Sequence, residues 1–166
     1  GDGTSGIYIF GAQLEQGSFP TSYIPNYGTS AGITRVAETA NGAGDASTFN
    51  DSEGVLMAEI SALDNDLSNR ILSLSNGAYN NSTRIGYNTT SNSIEYRVVS
   101  SSSIQAQLIY ALPDIKTNNK ISVKYKSNDF ALWVNGFKVA TDTSGLTSIG
   151  LDRLNFDDGG GSADFY

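Results

Sequence analysis

The residues that could carry out catalysis are few, because the sequence contains neither cysteine nor histidine. Without them there is no thiolate nucleophile, no disulfide framework, no Ser-His-Asp triad and no imidazole metal site. Carboxylates remain, and retaining hydrolysis of a glycosidic bond needs two of them about 5 Å apart. Of the five glutamates, Glu59 alone lies in a predicted strand near other acids, and Asp64 and Asp66 follow that strand's end. The sequence therefore predicts a protein that is not an enzyme.

Side chains that could hold a ligand by stacking or hydrogen bonding are more numerous. Trp133 combines an apolar ring face with an N–H donor, which suits a sugar, although packing inside the protein is the alternative. Tyr79 lies in a turn-forming segment, and such loops often carry recognition. Isolated charged side chains on a sheet face are usually just solvated and bind no ligand. Donors to hydroxyl or carboxylate groups are nevertheless predicted on four strands: Arg84, Arg97, Gln107 and Lys124.

Calcium is a further candidate ligand, at Asp157 and Asp158. These two residues precede three consecutive glycines, and Asp152 and Asp164 are close in sequence. Hard cations bind several convergent oxygens, and a flexible glycine loop lets carbonyl groups join carboxylates. An ordinary Asp-Gly turn is the alternative interpretation. We expect no other cofactor.

The composition and the net charge of the sequence exclude some classes of binding partner and favour others. The formal net charge is −7, which disfavours binding to the phosphates of nucleic acid. The 22 serines, 13 threonines and 15 asparagines give a polar surface of hydroxyl and amide groups. No apolar run approaches 18 residues, so we expect no membrane insertion. These features favour an extracellular protein that binds neutral, hydrogen-bonding ligands such as polysaccharides or cell-surface glycans.

Short runs of β-branched and aromatic residues, separated by turn clusters, recur about every ten residues. No helical stripe of apolar residues survives the frequent Gly, Asn and Ser. This spacing is typical of an all-β protein, an antiparallel sandwich or barrel. The predicted strands are Ile7–Leu14, Ile33–Glu38, Val55–Leu63, Arg70–Ser75, Ser82–Tyr87, Ser93–Val99, Ile104–Tyr110, Lys120–Lys126, Phe130–Asn135, Phe137–Thr141 and Ile149–Phe156.

Alternation along these strands assigns faces, because successive side chains point to opposite sides of a sheet. A two-residue turn at Asn128-Asp129 pairs Tyr125 with Leu132 and sets Lys124 beside Trp133 on the non-core face. One outer face is then predicted to carry Arg, Gln, Lys and the single Trp together. The inward side chains predicted on three further strands are Ile85, Tyr87, Ile94, Tyr96, Val98, Ile104, Ala106, Leu108 and Tyr110.

The first part of the chain differs in character. Pro20 and Pro25 bracket an extended stretch that cannot continue a central strand, and several glycines follow it. We therefore predict a flanking strand and linker over residues 1–32 and the main domain over residues 33–166. The first six residues include no initiator Met, so we expect a module of a larger polypeptide with neighbouring modules as partners.

Three stretches together resemble known proteins. Residues 9–17, IFGAQLEQG, followed by TSYIP at 21–25 and ITRVA at 33–37, resemble a junction between modules in bacteriophage tail-fibre and virion-associated proteins. Residues 53–166 resemble a concanavalin A-like lectin/glucanase jelly roll, also called laminin-G-like. The motifs that carry this second resemblance are ALWVNG at 131–136 and LDRLNF at 151–156.

The resemblance implies a jelly-roll sandwich in a non-catalytic carbohydrate-binding module of a phage or virus-derived protein, located extracellularly or on a virion. A structural spacer of a tail fibre, without ligand, is the alternative. The Glu-x-Asp-x-(x)-Glu pattern of glycosidases with this fold is absent. These folds also end with a strand after a Gly-rich loop, where this sequence reaches Tyr166. We expect that strand to be missing, replaced by Ile7–Leu14, or supplied by another chain.

Overall fold

The computed structural model describes residues 6, 11–14, 23–25, 28, 43–163 and 165. The chain forms two compact units, residues 1–38 and 39–166. The predicted boundary between residues 32 and 33 and the predicted strand Ile33–Glu38 lie outside the described residues. In the described part of the chain, no helix is long and apolar enough to cross a membrane.

The first unit is described only around two short stretches. The backbone N–H of Ile24 donates to Gln13 Oε1 at 2.6 Å. Residues 11–14 form no strand, and the Leu14 side chain is fully exposed. The prediction of a strand through Leu14 is therefore wrong for its second half, and residues 7–10 lie outside the described residues.

The second unit is an antiparallel β-sandwich, and residues 43–163 contain no helix. A four-stranded sheet has the order β1-β6-β7-β8, and a five-stranded sheet has the order β5-β4-β3-β2-β9. The strand bounds are β1 Glu53–Ile60, β2 Arg70–Ser75, β3 Ser82–Tyr87, β4 Ser93–Ser100, β5 Ser103–Ala111, β6 Asn119–Lys126, β7 Phe130–Val134, β8 Phe137–Asp142 and β9 Arg153–Asn155. This architecture confirms the predicted fold class.

The core lies between the two sheets and follows the predicted alternation. Two tyrosines of the five-stranded sheet reach across it: Tyr87 Oη donates to the Ile60 carbonyl at 3.1 Å, and Tyr96 Oη to the Lys124 carbonyl at 3.0 Å. Burial raises the pKa of Tyr87 to about 12 and raises the pKa of Tyr96 further. The two hydroxyls therefore tie each sheet to the other while staying hydrogen-bonded, as buried polar groups must.

The β6–β7 hairpin turns one residue earlier than predicted. Asp129 N donates to the Lys126 carbonyl at 2.8 Å, so the turn residues are Ser127-Asn128. Asn128 adopts the left-handed conformation (φ 60°), which asparagine tolerates in turns. Lys124 therefore faces Ala131, and Trp133 faces Ser122. The predicted pairing is wrong by two residues, a shift that keeps every side chain on its predicted face.

The edge strand β5 departs from the predicted alternation at its two ends. Ile104 is 53% exposed and Tyr110 is 37% exposed, whereas Ala106 and Leu108 between them are buried. A β-bulge shifts the β4–β5 register between Val98 and Val99. Such irregularities are common on edge strands. Here the bulge interrupts the alternation before Ile104, so the Ile104 side chain is exposed instead of buried.

The other edge of β1 is open among the described residues. β1 pairs with β6 on one side, and no described strand pairs with its other side. The last predicted strand, Ile149–Phe156, is extended only over Arg153–Asn155, which forms β9 against β2. Among the described residues, no strand follows β9, so the expected closing strand after the Gly-rich loop is not seen there.

Candidate functional site

A row of polar side chains crosses the outer face of the five-stranded sheet. Arg84 lies directly opposite Arg97 on β4 and opposite Ser73 on β2. Arg97 in turn lies opposite Gln107 on β5. Cross-strand neighbours have their Cβ atoms about 5 Å apart, so adjacent members of the row are within reach of one another. Three predicted site residues are therefore brought together: Arg84, Arg97 and Gln107.

Arg97 and its neighbours form a closed polar network. Arg97 forms an ion pair with Glu95. The same carboxylate accepts hydrogen bonds from Gln107 Nε2 at 3.1 Å and from Asn88 Nδ2 at 3.2 Å. Both oxygens of Glu95 are therefore occupied, and the charge of Arg97 is balanced locally.

Tyr79 joins this face from the loop between β2 and β3. The guanidinium carbon of Arg84 lies 4.1 Å from the centre of the Tyr79 ring, a cation–π contact. Arg97 Nη1 approaches the Tyr79 hydroxyl at 3.4 Å. These two cations, Arg84 foremost, lower the pKa of Tyr79. The ring remains 44% exposed, so it offers a surface for a ligand beside the arginines.

Arg84 is the unusual member of the site. Its side chain is only 3% exposed, yet Nε and Nη2 have no hydrogen-bond partner. Ser73, directly opposite on β2, is fully buried, and its Oγ also has no partner. Buried polar groups are normally satisfied, and each one left alone costs about 1–3 kcal/mol. Arg84 and Ser73 are two adjacent exceptions on one face.

A cavity of about 560 Å³ opens beside these residues. Its lining includes Gly86, the next outward position on β3 after Arg84, where a Cβ would collide with the Arg70 carbonyl oxygen on β2. Its rim comes from the turns before β2 and after β3 and from the loop after β9. The polar side chains that line it are Ser68, Asn69, Tyr79, Arg84, Asn88, Thr89, Glu95, Arg97, Asp158 and Ser162.

The glycine-rich loop after β9 forms one wall of the cavity. Phe165 N donates to the Phe156 carbonyl at 3.0 Å and closes the loop at its base. A side chain at Gly159 would place its Cβ 2.8 Å from that of Ser75, so only glycine permits this close approach. The loop thereby packs against the segment that carries Tyr79.

The two aspartates proposed as calcium ligands have structural partners in this loop. Asp157 Oδ1 accepts the Gly159 N–H at 2.6 Å, and Asp158 Oδ1 accepts those of Gly160 and Ser162 at 2.9 and 3.1 Å. Among the residues that the structure describes, no three acidic side chains cluster as metal ligands. The geometry fits a loop held by its own carboxylates, and Asp164 lies outside the described residues.

Trp133 and Lys124 lie on the other sheet. Both point outward from the four-stranded sheet, as predicted, and Trp133 is half-buried. Lys124 forms an ion pair with Asp129 at 2.5 Å. The expectation that one outer face carries the Trp together with the arginines is therefore wrong. Alternation distinguishes outward from inward side chains but does not say to which sheet a strand belongs.

Sequence analysis missed three contributors to the site: Ser73, Glu95 and Asn88. Alternation with the buried Ile94 and Tyr96 indicates an outward position for Glu95, but nothing in the sequence pairs it with Arg97 rather than with solvent. Ser73 alternates with the buried Leu72 and Leu74, which is a usable signal for an outward position. Its burial depends on the loop after β9, whose course over the sheet no local pattern predicts.

Comparisons with known proteins agree with the architecture. A lichenase, a prokaryotic beta-1,3-1,4-glucanase derived from a mouse hindgut metagenome, gives a TM-score of 0.51 at 12% identity over 63% of this chain and 52% of that chain. Domains LG4-5 of the mouse laminin alpha1 chain give a TM-score of 0.52 at 6% identity, over 71% of this chain and 31% of that chain. The carbohydrate-binding module CBM66 from Bacillus subtilis gives a TM-score of 0.49 at 16% identity, over 63% of this chain and 66% of that chain.

These likenesses define the class of fold. With TM-scores above 0.5 and low identities, the lichenase and laminin structures establish a concanavalin A-like jelly roll and nothing about activity. The matched part spans between 31% and 66% of the length of the three structures. No protein-family profile matches the sequence, and no curated protein matches it significantly.

Proposed function

We propose that the chain is a non-catalytic carbohydrate-binding module that holds a glycan in the cavity on the outer face of the five-stranded sheet. The observation that carries the proposal is the convergence there of an exposed tyrosine face, hydrogen-bond donors and a cavity of about 560 Å³. This volume lies within the range of small-molecule sites, roughly 300–1,000 Å³. Sugars are bound through the same combination of aromatic stacking and hydrogen bonds.

The state of the carboxylates supports binding without hydrolysis. Two acids line the cavity, Glu95 and Asp158. Glu95 is engaged by Arg97, Gln107 and Asn88, and Asp158 accepts two backbone N–H groups. A general acid needs a carboxyl group that is free to hold and deliver a proton. Glu95, with both oxygens engaged, does not meet that requirement. Asp158 is then the only other acid among the cavity-lining residues described, whereas retaining hydrolysis needs a pair.

The wider biological setting is part of the same proposal. The resemblance of residues 9–37 to tail-fibre junctions supports a phage or virus-derived protein, with an extracellular or virion location and neighbouring modules. The fold accommodates a spacer without ligand equally well, since fold does not determine function. The unpartnered polar groups beside the cavity favour a binding module over a spacer.

Binding to a polysaccharide panel tests the proposal. We expect affinity electrophoresis of the chain in gels that contain laminarin, xylan or alginate to show retardation in at least one gel. Tyr79→Ala should weaken that binding about tenfold, because a stacking surface is lost. Phe137→Ala is the matched control, since it removes an exposed aromatic ring from the other sheet.

Two results would contradict the proposal. If no polysaccharide retards the chain, the spacer alternative replaces it. If incubation releases reducing sugar and Glu95→Gln abolishes that release, the protein is a hydrolase.

A further inference from the structure

The arginines of the sandwich differ in how their charges are balanced. Four arginines lie in the described residues, and three of them form ion pairs: Arg70 with Asp66, Arg97 with Glu95, and Arg153 with Asp152. Arg84 forms none with any described residue, although it is the most buried of the four. Its contact with the Tyr79 ring compensates only part of the missing counter-charge.

An unbalanced guanidinium at this depth is costly, because burial removes its hydration without supplying a counter-charge. The two unpartnered atoms, Nε and Nη2, lie on the same edge of the planar group. That edge presents two parallel N–H donors, the geometry that matches both oxygens of a carboxylate. Ser73, opposite Arg84 on β2, also has an unpartnered hydroxyl, but it does not line the cavity.

We propose that the cavity takes an acidic sugar, with the carboxylate of a uronic acid residue bound to Arg84. This inference rests on the proposed function and names its ligand class. The neutral amides and hydroxyls of Asn69, Thr89 and Ser68 along the cavity suit the sugar's hydroxyl groups. Arg97 does not compete for the carboxylate, because Glu95 already neutralises it.

The carboxylate reaches Arg84 through the cavity that its side chain lines. Nε and Nη2 are shielded from solvent, but no hydrogen bond holds this edge in place. Rotation about the outer side-chain bonds of Arg84 would turn this edge into the cavity and would give up the contacts of Arg84 with Tyr79, which are the ring stacking and a hydrogen bond. The Tyr79 ring, half-exposed on its loop, is free to stack on the sugar instead.

The test compares ligands that differ only in charge. The probes are tetrasaccharides of galacturonate, mannuronate and guluronate, each also as its methyl ester, titrated calorimetrically against the whole chain. We expect at least one acid to bind and its methyl ester to bind at least tenfold more weakly. Arg84→Gln should reduce affinity for the acid at least tenfold and leave affinity for the ester unchanged. Arg153→Gln is the control, since it removes an ion-paired arginine that does not line the cavity.

A melting curve separates a ligand role from a structural one. Arg84→Gln should keep or raise the melting temperature, because it removes an uncompensated buried charge. Equal binding of acids and esters, or binding of sulfated but not carboxylated sugars, would overturn the acidic-sugar inference and leave the proposed function standing. A large fall in the melting temperature of Arg84→Gln would assign Arg84 to the fold and likewise overturn the inference. Absence of binding to any acidic or neutral glycan would overturn both proposals.

Discussion

The two outer faces of the sandwich carry similar kinds of side chain, but these differ in exposure and in whether their polar atoms have partners. On the four-stranded sheet, Lys124 is paired with Asp129 and Lys126 with Glu53, and all four side chains are at least one-third exposed. On the five-stranded sheet, Arg84 and Ser73 are buried and have unpartnered polar atoms beside a cavity. The first face resembles an ordinary solvated surface, whereas the second retains unused donors.

The difference arises from the loops and not from the strands. Both sheets alternate apolar and polar residues in the same way, but the loop after β9 and the Tyr79 segment rise beside the arginine row. Beside them, Arg84 is buried and its Nε and Nη2 have no acceptor. A polar group that is covered but unpaired costs stability, which proteins commonly accept at functional sites.

Of the substitutions that distinguish the two outer faces, Trp133→Ala is expected to change stability most. Trp133 is half-buried on the four-stranded sheet, so its removal should destabilise the fold by about 1–2 kcal/mol, less than for a fully buried ring. Glycan affinity should not change, because Trp133 does not line the cavity. Thermal melting and calorimetric titration measure the two effects. Loss of binding in a folded variant would move the site to the other face.

A smaller change in stability, and one of opposite sign, is expected for Ser73→Ala. Removing an unpartnered, fully buried hydroxyl should stabilise the fold by about 1 kcal/mol, while glycan affinity should not change, because Ser73 does not line the cavity. Ser122→Ala, at a partly exposed outward position of the four-stranded sheet, serves as the control and should alter neither quantity. Urea denaturation gives the stability change. A destabilised Ser73→Ala with unchanged binding would mean that this hydroxyl belongs to the fold.

The smallest effect is expected for Lys124→Gln. Its ion pair with Asp129 is largely solvated, so stability should change by less than about 0.5 kcal/mol. Binding should be unchanged, although Lys124 was a predicted site residue. The same melting and titration experiments measure both quantities. A tenfold loss of affinity would show that the four-stranded face contacts the ligand.

The strands of the sandwich were predictable because alternation and turn residues are local signals. The eight strands from β1 to β8 all lie where apolar alternation placed them, and the hairpin error of two residues left every face unchanged. The site was predictable in part. Arg84, Arg97 and Gln107 were identified as outward side chains, and the cross-strand register joins them.

The remainder of the site depends on contacts between distant parts of the chain. Trp133 was grouped with the arginines because a sequence does not reveal how strands are divided between two sheets. The cavity beside Arg84 is lined in part by a loop more than 70 residues away in sequence. No short-range pattern encodes that loop's position.

The two tyrosine bridges between the sheets give the protein an upper pH limit. Tyr87 and Tyr96 keep their protons in the folded chain because burial raises their pKa values, whereas in the unfolded chain both ionise near the ordinary value of 10.0. The contribution of Tyr87 to stability is therefore complete below about pH 10 and is lost as the pH rises through about 12, whereas that of Tyr96 is lost only at still higher pH. Of the two contacts between the sheets, rising pH therefore weakens the one from Tyr87 to Ile60 first.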